Sequence, residues 1–230
     1  MIVAITGLCV ARRKWWQLSP RMGSAGAGKS TVANRLVAKH GFTELALAAP
    51  MKRFLADLFD WPLSMLNGET AGKNVGDPRY PRPDGTLLSP REAMILLATE
   101  WGRNCYPTIW VEYAIRKATE LERVVMSDVR FRNELEQLKA AGAITVRVKR
   151  PVKELFVKTT HPSENELNEI PDLDFDVVVN GPEHGVTELE TLVDRMMRRL
   201  GRDYDHQVHR TFTLTGTPVR RVEEEEVVLR

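Results

Sequence analysis

Gly23-Ser24-Ala25-Gly26-Ala27-Gly28-Lys29-Ser30 fits the pattern G-x-x-x-x-G-K-[ST], and the rest of the chain is read outward from it. In such a loop backbone N–H groups surround phosphate oxygens, the lysine neutralises them and the hydroxyl coordinates Mg²⁺. Glycine is needed because bare backbone must approach the phosphates. Upstream, Ile2 to Ile5 is a β-branched apolar run ending at Thr6-Gly7, which predicts a buried parallel strand. Downstream, Val32, Ala33, Leu36 and Val37 recur with helical spacing from Lys29 to Lys39, and Gly41 supplies the stop. Strand, glycine turn and helix follow in the order a phosphate loop requires.

Residues 9–24 (CVARRKWWQLSPRMGS) break that order, being basic, carrying Trp15 and Trp16, and fitting neither strand nor loop. Without them Gly7-Leu8 joins Ala25-Gly26-Ala27-Gly28-Lys29-Ser30-Thr31, a complete loop directly after the first strand. Both readings keep Gly26, Gly28, Lys29 and Ser30. The shorter one respects the geometry better, because the first glycine normally leaves the strand end at once. Residues 9–24 are therefore expected to be an inserted surface excursion.

Further along, Glu44 to Ala49 predicts a second strand, and Pro50 heads a helix from Met51 to Leu58. Asn67 to Pro90 is rich in Gly, Pro and Asp and reads as a long loop. Helices are expected over Arg91–Trp101 and Val111–Glu122, a buried strand over Arg123–Ser127, and a helix over Asn133–Ala141 closed by Gly142. Ile144–Val148 and Val177–Val179 are the next strands, and Val186–Leu200 is an amphipathic helix. This alternation predicts an α/β, three-layer P-loop fold: a parallel sheet with helices on both faces. After Leu200 the composition shifts to threonines, Arg220-Arg221 and four glutamates, Glu223 to Glu226, so residues 201–230 are set apart as an appendage, a hairpin or a segment without order.

A length of 230 residues with 43% hydrophobic content suits one sizeable core, here assigned to residues 1–200. A net charge of +2 gives no argument for nucleic acid or membrane. Cys9 and Cys105 alone make neither a disulfide scaffold nor a zinc site, which points to a reducing cytoplasm. The N-terminus is apolar first and basic afterwards, the reverse of a secretory signal, and no apolar run approaches the roughly 20 residues of a membrane span.

The loop gives a nucleotide but not a reaction. No Asn-Lys-x-Asp guanine-reading motif is present, and Val124-Val125-Met126-Ser127-Asp128 ends in one acid where a motor ATPase usually places two. Asp128 suits a magnesium ligand facing Ser30, with Arg130 available to hold a phosphate. An N-cap and a surface ion pair are the plainer readings of these two residues.

Several segments together resemble bacteriophage-type deoxynucleoside monophosphate kinases. They are Val3 to Leu8, Ala25 to Thr31, Gly41-Phe42, Ala49-Pro50-Met51-Lys52, Arg91, Thr99-Glu100-Trp101-Gly102-Arg103, Trp110, Asp128-Val129-Arg130-Phe131-Arg132-Asn133-Glu134, Arg150-Pro151 and His161-Pro162-Ser163-Glu164. The resemblance spans roughly residues 1 to 200. It implies an NMP-kinase-like core with mobile acceptor and lid segments, ATP as phosphoryl donor with Mg²⁺, and a deoxynucleoside monophosphate as acceptor; a phage-encoded enzyme would work in the host cytoplasm. Gly26, Ala27, Gly28, Lys29, Ser30 and Thr31 would bind ATP, with Ser30 and Asp128 on the metal. Lys29, Asp128, Arg130 and Arg150 would carry catalysis. Lys52, Arg91, Arg103 and Trp110 would meet the acceptor, guanidinium forks suiting bidentate phosphate contacts. Trp110 also reads as a core residue, and His161 with Glu164 as a lid or loop contact.

Three other functions fit parts of the pattern. A dephospho-coenzyme A kinase would share the core and differ in its acceptor pocket. A nucleic-acid-binding P-loop ATPase would draw on Arg12-Arg13-Lys14-Trp15-Trp16. A non-catalytic module would bind ATP and transfer nothing.

Overall fold

Short β-branched runs supply a parallel sheet. The computed structural model describes residues 1–11, 22–23, 27–152, 166–182, 185–203 and 212–215. Contacts divide them into one unit of Met1–Leu45 with Ile115–Arg230 and another of Ala46–Ala114.

In the first unit β1 (Ile2–Ala11) has β4 (Val124–Met126) on one side and β5 (Ile144–Val152) on the other. The order β3-β4-β1-β5-β6-β7 is parallel throughout, with β3 at Thr43–Glu44, β6 at Val177–Asn180 and β7 at Phe212–Thr215. Alternate residues Val3, Ile5, Val125, Val146, Val148, Val177 and Val179 face one core with Val32 and Leu36 of α1 (Lys29–His40) and Leu192, Val193 and Met196 of α7 (Val186–Asp203). On the opposite face Ala4, Met126, Thr145, Arg147 and Val178 are also buried, as are Leu135 and Leu138 of α6 (Arg132–Ala140). This is the α/β parallel-sheet architecture expected from the alternation. The tail contributes more than an appendage: Phe212–Thr215 pairs with β6 as the last strand, and Leu214 enters the core.

The first strand departs from expectation. β1 does not stop at Thr6-Gly7 but runs on to Ala11, pairing with β5 until Ala11 meets Val152. β2 (Met22–Gly23) returns antiparallel on β1, Cys9 opposite Gly23 and Val10 opposite Met22, beyond the last β1–β4 pair of Ala4 with Met126. The two ends of the excursion are thus neighbours in one sheet. β3 is also shorter than the run over residues 44–49 suggested, because Ala49 already begins α2.

α1 and α7 are clamped by Asp194. Its carboxylate accepts from Arg35 Nε and Nη2 at 3.0 and 2.7 Å and from Lys39 Nζ at 2.6 Å, with His40 Nε2 at 2.9 Å. The Arg35 hydrogen bonds hold this carboxyl far below its ordinary range, with Lys39 and His40 adding to them against the opposing effect of burial. A depressed folded-state value means stability that is present above the unfolded value, roughly pH 4, and lost as pH falls through the folded one. Asp194→Ala is expected to cost about 1–2 kcal/mol at pH 7, a charged-hydrogen-bond loss discounted for partial exposure, and less at pH 2. Urea unfolding of both proteins at the two pH values measures the gap; a gap independent of pH contradicts the assignment.

The second unit has a separate apolar cluster of Leu55, Trp61, Leu66 and Ala93. It comprises α2 (Ala49–Phe59), α3 (Leu63–Asn67), a single 3₁₀ turn at Ala71–Asn74, α4 (Pro90–Ile95) and the start of α5 (Ile109–Ala118). The Gly/Pro-rich stretch from Asn67 to Pro90 is tied down by aromatic chemistry. Trp61 Nε1 donates to Asp77 Oδ2 at 2.7 Å, Tyr80 Oη donates to the Phe59 carbonyl at 2.8 Å, and the Phe59 ring stacks on Trp61 with centroids 4.5 Å apart. Ser89 and Glu92 then form a capping box that starts α4.

Candidate functional site

Gly28 is the pivot of the candidate phosphate loop. It precedes α1 with φ 99° and ψ 12°, and a Cβ there would stand 2.8 Å from Leu189 Cδ2. Left-handed backbone and close packing both require glycine. No side chain caps α1 and its first turn holds no acid. The helix start therefore has the amide and dipole chemistry of an anion site, with no acid among its own first-turn residues. Ala27 is buried, Lys29 and Thr31 are half-buried, and Ser30 is exposed. Gly26 lies outside the described residues, as do His161, Glu164 and the Arg12–Trp16 cluster.

The sheet places other candidates at the same end. Asp128, half-buried, comes two residues after β4, and Arg150, half-buried, lies late in β5; these strands are the two neighbours of β1. In open α/β sheets ligands bind beyond the carboxyl ends of the strands. Ser127 Oγ donates to Glu44 Oε1 at 2.6 Å, which joins the start of the loop after β4 to β3. Arg130 is exposed, and its backbone N–H donates to Glu134 Oε2 at 2.8 Å. The Ser30 hydroxyl and Asp128 carboxylate are hard oxygen donors, which fits Mg²⁺, an ion usually held by one or two protein oxygens together with substrate phosphates. Among the described residues no group of three or more His, Cys, Asp or Glu could hold a metal.

Lys52, Arg91, Arg103 and Trp110 lie in the second unit. Lys52 Nζ donates to Asn67 Oδ1 at 2.9 Å, and Arg91, exposed, donates from Nε to Asn74 Oδ1 at 2.6 Å. The helix expected over Arg91–Trp101 changes its winding: after α4, Leu96–Arg103 is a π-helical stretch covering the whole Thr99-Glu100-Trp101-Gly102-Arg103 segment. Trp110 is buried, its Nε1 donating to the Ala98 carbonyl at 3.0 Å. A Cβ on Gly102 would fall on the Trp110 indole, so the glycine makes room for the ring. Arg103, next in sequence, is half-buried.

Some structurally central residues carried no site reading. Arg147 and Glu166 gave no local signal, and Glu134 was named only as the end of the resembling segment Asp128–Glu134, with no role of its own.

No family model matches this chain. No helix among the described residues is long and apolar enough to cross a membrane. The chain is similar to a protein of Acanthamoeba polyphaga mimivirus named "Putative deoxynucleotide monophosphate kinase", with 29% identity over 174 residues, spanning 69% of this chain and 86% of the viral protein.

Proposed function

We propose that this chain transfers the γ-phosphoryl of ATP to a deoxynucleoside monophosphate. The observation that carries the reading is the left-handed turn of Gly28 at the start of α1, packed by Leu189 and Val148, with Lys29 and Ser30 directly after it, while Asp128 follows β4, a strand paired with β1. The likeness to the viral protein over most of both chains supports the kinase class and suggests the acceptor. In this reading Lys29, Ser30 and Asp128 serve the donor, and Lys52, Arg91 and Arg103 serve the acceptor.

Phosphoryl transfer needs positioning and charge neutralisation more than covalent chemistry. The first-turn amides of α1, Gly28 and Lys29 hold the terminal phosphates of ATP, while Ala27 and Thr31 shape the loop beside them. Mg²⁺, when bound through Ser30 and Asp128, supplies charge to the phosphate oxygens. Arg130 and Arg150 neutralise charge that develops on the transferring group. Lys52, Arg91 and Arg103 orient the acceptor phosphate, with Trp110 fixing the backbone around Arg103. The π winding at Arg103 is of the kind that often marks functional sites.

Arg103→Ala tests the acceptor side. The expected result is a loss of about 10²-fold in kcat/KM for the monophosphate, with ATP affinity within about twofold of the parent and an unchanged melting temperature. Equal loss on both nucleotides would make Arg103 structural.

Residues 9–24 are read as a dispensable excursion. Cys9 and Gly23 face each other across an antiparallel pair, so the chain returns beside the point at which it leaves; the deletion itself joins Leu8 to Ala25, which lies outside the described residues. Deleting residues 9–24 is expected to retain or raise transfer, measured as ADP release. A deletion variant that folds but no longer binds ATP shows instead that the loop starts at Gly23.

A further inference from the structure

We propose that Glu134 and Glu166 are positioning residues for Asp128 and Arg130, acting by holding the backbone of the loop that carries them. The inference rests on the proposed function and extends it to two acids that touch neither nucleotide in that mechanism.

After β4 the chain crosses Ser127–Phe131 before α6 begins at Arg132. Glu134, 4% exposed, accepts through Oε2 from the N–H of Arg130 at 2.8 Å and of Phe131 at 3.1 Å. The next amide, Arg132 N–H, donates to Glu166 Oε1 at 2.8 Å. Three successive amides are thus held by two carboxylates that are 32 residues apart in sequence by their numbering. An acid in the first turn is ordinary capping chemistry, because the opening N–H groups of a helix have no partner within it. Capping α6 does not call for a second acid from beyond the next strand, nor for burial of the first.

Glu166 is itself held in place. Its 3₁₀ turn, Glu166–Glu169, and the residues after it are gripped by Arg147 of β5, which donates from Nη2 to the Leu167 carbonyl and from Nη1 to the Ile170 carbonyl, both at 2.6 Å, and from Nη1 to Asp172 Oδ1 at 3.0 Å. The hold on Arg132 therefore traces back to the strand beside β1. Val129, between Asp128 and Arg130, is 3% exposed and anchors the loop on its apolar side. With backbone amides and one buried side chain fixed, the directions of the flanking Asp128 and Arg130 are set before substrate arrives. Misplacement of a reacting group by about 1 Å can cost about 10²-fold, so a loop carrying a metal ligand and a phosphate-neutralising arginine gains from such a hold.

The test compares Glu166→Ala, Glu134→Ala and Glu134→Gln with the parent, and uses Asp128→Asn as reference. Turnover is measured over ATP, deoxynucleoside monophosphate and MgCl₂ concentrations, amide hydrogen exchange at residues 130–132 is followed, and melting temperatures are recorded. Glu166→Ala is expected to melt within about 2 °C of the parent, to exchange these amides faster, and to lose about tenfold in kcat with KM for ATP nearly unchanged. Glu134→Gln, which keeps an acceptor oxygen, is expected to retain more kcat than Glu134→Ala at equal folded fraction. Parent-like kcat in Glu166→Ala and Glu134→Gln, despite faster exchange, overturns the inference. So does a loss of kcat that only follows the melting temperature. If Asp128→Asn loses turnover in either case, the proposed function stands without the inference; if Asp128→Asn turns over like the parent, the inference falls together with the role of Asp128.

Discussion

Lys29→Ala is expected to lower turnover by about 10²–10³-fold, the size of effect seen when one preorganised donor is removed from a developing charge. Its fold should survive. Lys29 is the first residue of α1 and half-buried, while the apolar contacts of that helix come from Val32, Ala33 and Leu36. Alanine is the better helix former, so helix propensity does not oppose the change. The packing that fixes the turn belongs to Gly28 against Leu189, and it remains. Turnover and a melting curve measured on the same preparation separate chemistry from folding. Near-parent turnover in a folded variant would remove Lys29 from the mechanism.

Arg147→Ala is expected to cost about 2–4 kcal/mol of stability, the largest folding effect anticipated here. Arg147 is 2% exposed, it donates to two carbonyls and to Asp172, and its guanidinium lies 4.0 Å from the Phe175 ring centroid. Burial pulls its pKa below the usual arginine value, with Asp172 partly offsetting that effect. Truncation would leave the Leu167 and Ile170 carbonyls without this donor and open a cavity beside Phe175. The figure is set below a fully buried ion-pair loss because Lys149 still reaches Asp172 Oδ2 at 2.7 Å. Urea unfolding measures it. A cost under about 1 kcal/mol would mean that the residues from Glu166 to Asp174 hold their place without the arginine.

The α1 helix, its glycine stop and the strands at Val124–Met126 and Val177–Asn180 were legible because local pattern and final packing agree. Val32, Ala33 and Leu36 face the core at helical spacing, and Gly41 takes φ 70° as the helix cap. Val124–Met126 and Val177–Val179 are continuous apolar runs that end up buried. The rest depended on contacts distant in sequence. β1 and β5 extend each other, Leu8–Ala11 against Lys149–Val152; Leu8–Ala11 is apolar but runs into the basic stretch set aside as an excursion, and Lys149–Val152 does not have the composition of a buried strand. Pro151, which reads as a breaker, sits one residue before the end of β5, where a missing N–H costs least. In the second unit Trp61 reaches Asp77 and Phe59 meets Tyr80, contacts that composition alone does not announce. Arg147 alternates with valines as a surface residue would, and its acceptors and ring partner come from Leu167, Ile170, Asp172 and Phe175, distant in sequence. Among the candidate residues, the run from Ala27 to Thr31 was readable from the loop pattern itself. Arg103 and Trp110 came from resemblance, and the π winding that carries Arg103 had no local signal.

The central claim is tested most directly by ADP production from ATP and Mg²⁺ with each deoxynucleoside monophosphate in turn, with dephospho-coenzyme A and nucleic acid as separate arms. The account predicts ADP release that depends on at least one deoxynucleoside monophosphate and yields the corresponding diphosphate in equal amount. Release with dephospho-coenzyme A alone, release stimulated only by DNA or RNA, or ATP binding without transfer to any monophosphate would contradict it.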